Sequence, residues 1–206
     1  MLTAVLCVVL GYLAGSVPFG LLIARFRRFD LRSAGSGNIG AANVWRVMGW
    51  REGAFTMAGD FAKGFLPVLL AARLTASPAV AGLTGIAAMG GHNYPCFAGF
   101  RGGKGAATGL GAFLGLLPLA TLLASLTWAG CLVLWRYVSL SSIIAALSFP
   151  VWAGILQAPP SLIALSALAA VMVVLRHRDN LKRLLDGQEP KTTWPQRPAK
   201  ADEPSA

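Results

Sequence analysis

Three polar segments hold most of the residues in this chain that could do chemistry. The first runs Ser36-Gly37-Asn38-Ile39-Gly40-Ala41-Ala42-Asn43, with Arg46 just beyond. Its glycines let backbone N–H groups approach an anion closely and suit a turn entering a helix. Ser36, Asn38 and Asn43 add neutral polar groups, and Arg46 brings a fork of N–H donors that fits phosphate. Gly35 to Gly40 also match GxGxxG. A dinucleotide fingerprint needs a strand before it and a βαβ unit around it, and here an arginine-rich apolar context replaces both.

The second segment joins Gly91-His92-Asn93-Tyr94-Pro95 to Phe100-Arg101-Gly102-Gly103-Lys104-Gly105. Glycines around two cations make a nest of backbone donors for phosphate. A Walker A loop would need Gly in place of Ala98 and Ser or Thr in place of Gly105, so nucleotide hydrolysis is not supported. The third segment is Arg176-His177-Arg178-Asp179-Asn180, then Arg183 and Gly187 to Glu189. On a continuing helix His177, Asn180 and Arg183 roughly share a face. Asp60 and Lys63, three residues apart in an apolar run, are expected to form an ion pair or to make polar interior contacts. Ser139, Ser141 and Ser142 follow Arg136; helix capping is their ordinary role, with Ser142 a candidate substrate contact. Two histidines and three dispersed cysteines form no metal-ligand cluster, and no cofactor is implied.

The elements that must position these residues follow from composition. Of 206 residues, 55% are hydrophobic and only 13% charged, about half the usual charged share of a soluble domain. Such a chain cannot cover a soluble surface, so lipid is its expected solvent. Apolar runs cover 2–24, 53–72, 76–91, 107–135, 141–157 and 160–175. The run 107–135 would measure about 43 Å as one helix. Charge parity breaks it near Pro118, because the basic loops share one side only if it crosses twice. The expectation is an all-α polytopic membrane protein of about seven transmembrane helices, N-terminus outside and C-terminus in the cytoplasm. A membrane domain spans 1–186, and residues 187–206 form a disordered cytoplasmic tail. That topology places 16 of the 18 Lys and Arg on the cytoplasmic face, which explains a net charge of +10 without nucleic acid.

These segments resemble the bacterial membrane glycerol-3-phosphate acyltransferases that use acyl phosphate, the PlsY type. SGNIGAANVWRVMG, GHNYPCFAGFRGGKGAAT and HRDNLKRLLDGQE carry the resemblance, supported by Asp60-Phe61-Ala62-Lys63-Gly64 and Arg136-Tyr137-Val138-Ser139. It covers Gly15 to Glu189, and Ala42 stands where Thr is expected. The resemblance implies acyl transfer from acyl phosphate to the 1-hydroxyl of glycerol 3-phosphate, giving lysophosphatidic acid and phosphate. It also implies the cell inner membrane and a possible soluble enzyme supplying acyl phosphate. It carries glycerol 3-phosphate binding onto Gly102, Gly103, Lys104 and Gly105. The first segment carries over as Ser36, Asn38, Asn43 and Arg46, and the third as His177, Asn180 and Glu189.

Phosphate is a good leaving group, so no acyl-enzyme is required, and the HxxxxD dyad of another acyltransferase class is absent at both histidines. The expected mechanism is direct attack. Lys104 holds the acceptor, Arg46, Ser36 and Asn38 hold the donor, and His177 orients the hydroxyl or takes its proton. The alternative is an anion transporter or channel with a basic cytoplasmic face. The polar segments gather on one face, however, and no inverted repeat is evident.

Overall fold

The computed structural model describes residues 1–192, and every regular element among them is helical. The chain runs through α1 (Leu2–Gly15), α2 (Phe19–Phe26), α3 (Ala41–Met48), α4 (Trp50–Thr75) and α5 (Pro78–Asn93). It continues through α6 (Ala106–Leu114), α7 (Pro118–Trp135), α8 (Val138–Ile155), α9 (Pro160–Arg176) and α10 (Arg178–Leu185). The run 107–135 does break at Pro118, which opens α7, where its missing N–H costs no helical bond. The first apolar run also breaks, at Val17-Pro18, because proline disfavours helix in the residue before it.

Small residues set how the helices meet. A methyl group added at Gly15 would lie 2.0 Å from the Ala88 carbonyl oxygen, and one at Gly91 would lie 2.2 Å from that of Tyr12. The same close approach joins α4 to α6, where Gly64 faces Thr108 and Gly111 faces Phe61. Helices in lipid gain little from hiding apolar surface from one another, so close backbone packing is what holds such pairs. The buried cluster includes Val68, Ala81, Met89, Ala112, Phe113 and Phe149. Leu, Val and Phe side chains are exposed on the outer faces, among them Leu66, Leu126 and Val151.

Four segments are long and apolar enough to cross a membrane: Leu2–Phe26, Trp50–Thr75, Pro118–Trp135 and Val138–Ile155. A fifth is added if α9 and α10, bent by 58°, are taken together. The expected seven exceeds this count because α5, α6 and α9 have 16, 9 and 17 residues. At about 1.5 Å per residue, α6 measures only about 13 Å.

The expected boundary at residue 186 also shifts. Residues 187–192 are held to the helices rather than trailing from them. Backbone N–H groups of Gln188 and Glu189 donate to the Arg183 carbonyl, and Thr192 exchanges hydrogen bonds with Arg136. Buried Glu189 anchors the segment. Residues 193–206 of the expected tail lie outside the described residues.

Asp60 and Lys63 do form a buried ion pair, 2.8 Å long. The Lys63 ammonium also donates to the Val17 carbonyl at 2.9 Å, an acceptor near the α1–α2 break. His92 Nδ1 lies 3.5 Å from the same Asp60 oxygen. Lys63→Met should therefore destabilise the protein by about 3 kcal/mol, the lower end for a broken buried pair, since His92 remains beside Asp60. Asp60→Asn in the same chain should restore much of the loss. Thermal unfolding in detergent measures both, and an unchanged midpoint for Lys63→Met would contradict the pairing.

Candidate active site

The three polar segments converge at one end of the helical body. Asn43, near the start of α3, folds the first of them. Its Oδ1 accepts from the Ser36 N–H at 2.9 Å, and its Nδ2 donates to the Ala34 and Asn38 carbonyls. Asn38 Oδ1 in turn accepts from the Gly40 N–H, so the loop is tied by its own side chains. Ser36 and Arg46 project from it, both exposed.

The glycine loop is fixed from two sides. The Gly103 N–H donates to the His92 carbonyl at 3.0 Å, and a methyl group at Gly103 would lie 2.0 Å from His92 Nε2. On its other side Arg176 donates to the Gly103 and Gly102 carbonyls, at 2.9 and 3.0 Å, while lying over the Tyr94 ring. Arg32 adds a clamp, reaching the Ala98 and Arg101 carbonyls. These bonds aim Lys104 inward, above the first turn of α6, whose N–H groups have no intrahelical partners.

Lys104 Nζ donates to Asn180 Oδ1 at 2.6 Å, and Asn180 Nδ2 donates to Glu189 Oε1 at 2.6 Å. Ser139 Oγ donates to the same Glu189 oxygen, and Arg183 Nε donates to the other at 2.8 Å. Burial raises the Glu189 pKa, but the bonds from Ser139, Asn180 and Arg183 outweigh it and hold the carboxyl below its ordinary value. Burial lowers Lys104 to about 8, with Arg183 and Arg46 pushing the same way and Glu189 opposing. His177 is lowered to about 4, first by burial and then by the Lys104 charge. Its Nδ1 is 2.8 Å from the Val173 carbonyl, which fixes the proton there and leaves Nε2 as an acceptor.

A cavity of about 640 Å³ opens among these groups. Its polar end is lined by Ser36, Asn38, Arg46, Lys104, His177 and Asn180, and Asn43, Asp60, Gly105, Ser142 and Glu189 also border it. The remainder is apolar and runs down between the helices past Ala124, Ala145, Ala146 and Ala170. A second, more polar cleft of about 410 Å³ shares Ser36, Asn38, Lys104, Asn180 and Arg183 with it. The two spaces therefore meet at Lys104 and Asn180.

Gly102 and Gly103 stand behind the wall and shape the loop. Lys63 lies deeper, beside Asp60. Ser142 does border the cavity, with its hydroxyl donating to Val138 and accepting from Trp128 Nε1 at 3.2 Å. Sequence reasoning missed His92 as the rest for the glycine loop, Arg176 as its clamp and Ser139 as a partner of Glu189. The glycines beside His92 were a usable signal for the first. Ser139 and Glu189 are too far apart in the chain to leave a local one.

The arrangement offers cations and aimed N–H groups at the mouth of an apolar pocket, as a phosphate attached to an alkyl chain requires. A sequence profile described as glycerol-3-phosphate acyltransferase matches residues 5–187. Named glycerol-3-phosphate acyltransferases are similar throughout. That of Geobacter sulfurreducens is 45% identical over 92% of this chain and 97% of its own. That of Aquifex aeolicus is 40% identical over 90% and 97%. Two crystal structures of PlsY, an integral membrane glycerol 3-phosphate acyltransferase, superpose well. The glycerol 3-phosphate form has a TM-score of 0.89 at 40% identity, covering 92% of this chain and 96% of that one. The lysophosphatidic acid form has a TM-score of 0.87 at 38% identity, covering 92% and 95%. Near-complete coverage in both sequence and fold leads to one assignment: the chain is an integral membrane protein and belongs to the glycerol-3-phosphate acyltransferase family.

Proposed function

We propose that this protein transfers an acyl group from acyl phosphate to the 1-hydroxyl of glycerol 3-phosphate. The observation that carries the reading is the junction at Lys104 and Asn180, where a polar cleft meets an apolar pocket beneath a cationic mouth. The polar cleft suits the small, doubly charged acceptor. The pocket suits an acyl chain whose phosphate sits near Arg46, Ser36 and Asn38. Lys104 and Arg183 serve the acceptor phosphate, and the α6 N-terminus adds oriented N–H groups.

The hydroxyl oxygen attacks the carbonyl carbon of the mixed anhydride. The new ester C–O bond forms, the bond from the carbonyl carbon to the phosphate oxygen breaks, and the released phosphate carries the hydroxyl proton. N–H groups at the mouth stabilise charge developing on the carbonyl oxygen. His177 Nε2, an unprotonated acceptor, holds the hydroxyl in line. With a pKa of about 4 the imidazole is a weak base. A phosphate group with a second pKa of about 6 is the better final holder of the proton. Asn43 acts through the loop it folds, and Glu189 through Asn180 and Arg183.

Seven membrane passages, with the N-terminus outside and the site at the cytoplasmic face, fit this reading. They bring Arg27, Arg28, Arg32 and Arg101 to the cytoplasmic side under the positive-inside rule. In a bacterium that membrane is the inner one. The same basic face suits a soluble enzyme delivering acyl phosphate. A transporter is disfavoured because the cavity is closed at its deep end by Phe113, Phe149, Thr121 and Ser166, all buried.

Full-length protein purified in detergent, given radiolabelled glycerol 3-phosphate and palmitoyl phosphate, should make lysophosphatidic acid without another protein. Palmitoyl-CoA in place of the phosphate should give none. No product with either donor overturns the enzyme reading, and product with the CoA ester alone overturns the donor.

A further inference from the structure

The apolar part of the cavity has a defined bottom. The deepest lining residue is Phe113 on α6, Thr121 on α7, Phe149 on α8 and Ser166 on α9. The hydroxyls of Thr121 and Ser166 are spent on carbonyls of their own helices, so they present no free polar group to a chain end. The rings of Phe113 and Phe149 pack at 4.9 Å between centroids, tilted by 54°. They are only 4% and 8% exposed, and the buried cluster continues beneath them. Above them α7, α8 and α9 line the cavity mostly with small side chains, Ala124, Ala145, Ala146, Ala169 and Ala170, and Trp128 borders it nearer the mouth. Wide walls above a floor of two interlocked rings make a slot of fixed depth. From Ser139 at the polar end to Phe149 at the floor, the rise along α8 is about 15 Å.

We propose that the Phe113–Phe149 pair sets the acyl-chain length that this enzyme accepts. The proposal rests on the acyl-transfer reading and names the specificity-determining residues of that site. A chain that just reaches the rings fills the slot. A longer one must turn aside through the flank, where Met57 and Leu110 border the cavity yet are 44% and 37% exposed. Turning aside forfeits burial, and each methylene left out of an apolar site costs roughly 4-fold in binding.

The test is a competition among saturated acyl phosphates from decanoyl to eicosanoyl with full-length protein in detergent, read as ratios of kcat/KM by mass spectrometry of the lysophosphatidic acids. Phe149→Ala lowers the floor. It should shift the preferred chain at least one two-carbon step longer, changing the ratio of neighbouring substrates by about 16-fold. Ala146→Phe, one turn nearer the mouth on the same wall, raises the floor and should shift the preference shorter by a similar ratio. If Phe149→Ala does not accumulate as folded protein, Ala146→Phe decides alone. An active wild-type enzyme whose profile neither variant moves overturns the proposal and means that the chain leaves by the flank. A wild-type enzyme that makes no lysophosphatidic acid overturns the acyl-transfer reading itself.

Discussion

Lys104→Met should lower kcat/KM for glycerol 3-phosphate by roughly 30- to 1,000-fold, the cost of removing one partner from a desolvated charge pair of about 2–4 kcal/mol. The loss should fall mainly on KM. Lys104 is the cation at the meeting point of cleft and pocket, and its ammonium is already aimed by Asn180. The pH dependence gives a second reading of the same residue. Burial lowers its pKa to about 8, so in the free enzyme the charge is present below that pH and is lost as pH rises through it. Because kcat/KM reports ionisations of the free enzyme, it should fall with a midpoint near pH 8. Lys104→Arg keeps its charge throughout and should remove that alkaline limb, at some loss of activity because the planar fork does not reproduce a compact ammonium. A Lys104→Met enzyme with normal KM would detach this residue from the phosphate.

His177→Ala should lower kcat by about 100-fold, the scale of a misaligned nucleophile, with a smaller change in KM. The bond to the Val173 carbonyl fixes the ring and presents Nε2 as an acceptor. That geometry separates two roles. If the imidazole only holds the hydroxyl in line, His177→Asn, whose carbonyl can also accept, should recover part of the lost rate. If it must take the proton, His177→Asn should be as slow as His177→Ala. The low pKa favours the first outcome. It also predicts no fall in kcat/KM between pH 7 and 5 from this group, because the free imidazole is charged only near pH 4. A clear acid limb near the ordinary histidine value, removed by His177→Ala, would assign the proton to this ring.

Much of this was legible in the order of residues. Apolar runs separated by basic loops gave the helices, since a chain poor in charge must place its cations at helix ends. The break at Pro118 was readable because proline's missing N–H is a local property. The break at Val17-Pro18 is equally local, yet it lies inside an otherwise unbroken apolar run whose length alone suits a single span. The ion pair of Asp60 with Lys63 was visible because one helical turn brings such residues together. His92 as its third member was not, since it comes from α5, a different helix, and a contact between separate helices leaves no near-neighbour signal.

The amino-acid sequence by itself determined the kind of solvent this protein has, its all-helical class, and the residue types able to hold phosphate. Those properties depend on composition and near-neighbour spacing. Only the tertiary structure decided which residues work as a unit. Glu189 joins Ser139, Asn180 and Arg183 because residues 187–192 fold back against α8 and α10. Gly102 and Gly103 shape the loop from behind because Arg176 takes their carbonyls and His92 occupies the space a side chain would need. The floor of the apolar pocket exists only where α6 and α8 bring two phenylalanines together across a long stretch of chain. Such contacts arise from close packing of whole helices, and no local pattern in the sequence encodes that geometry.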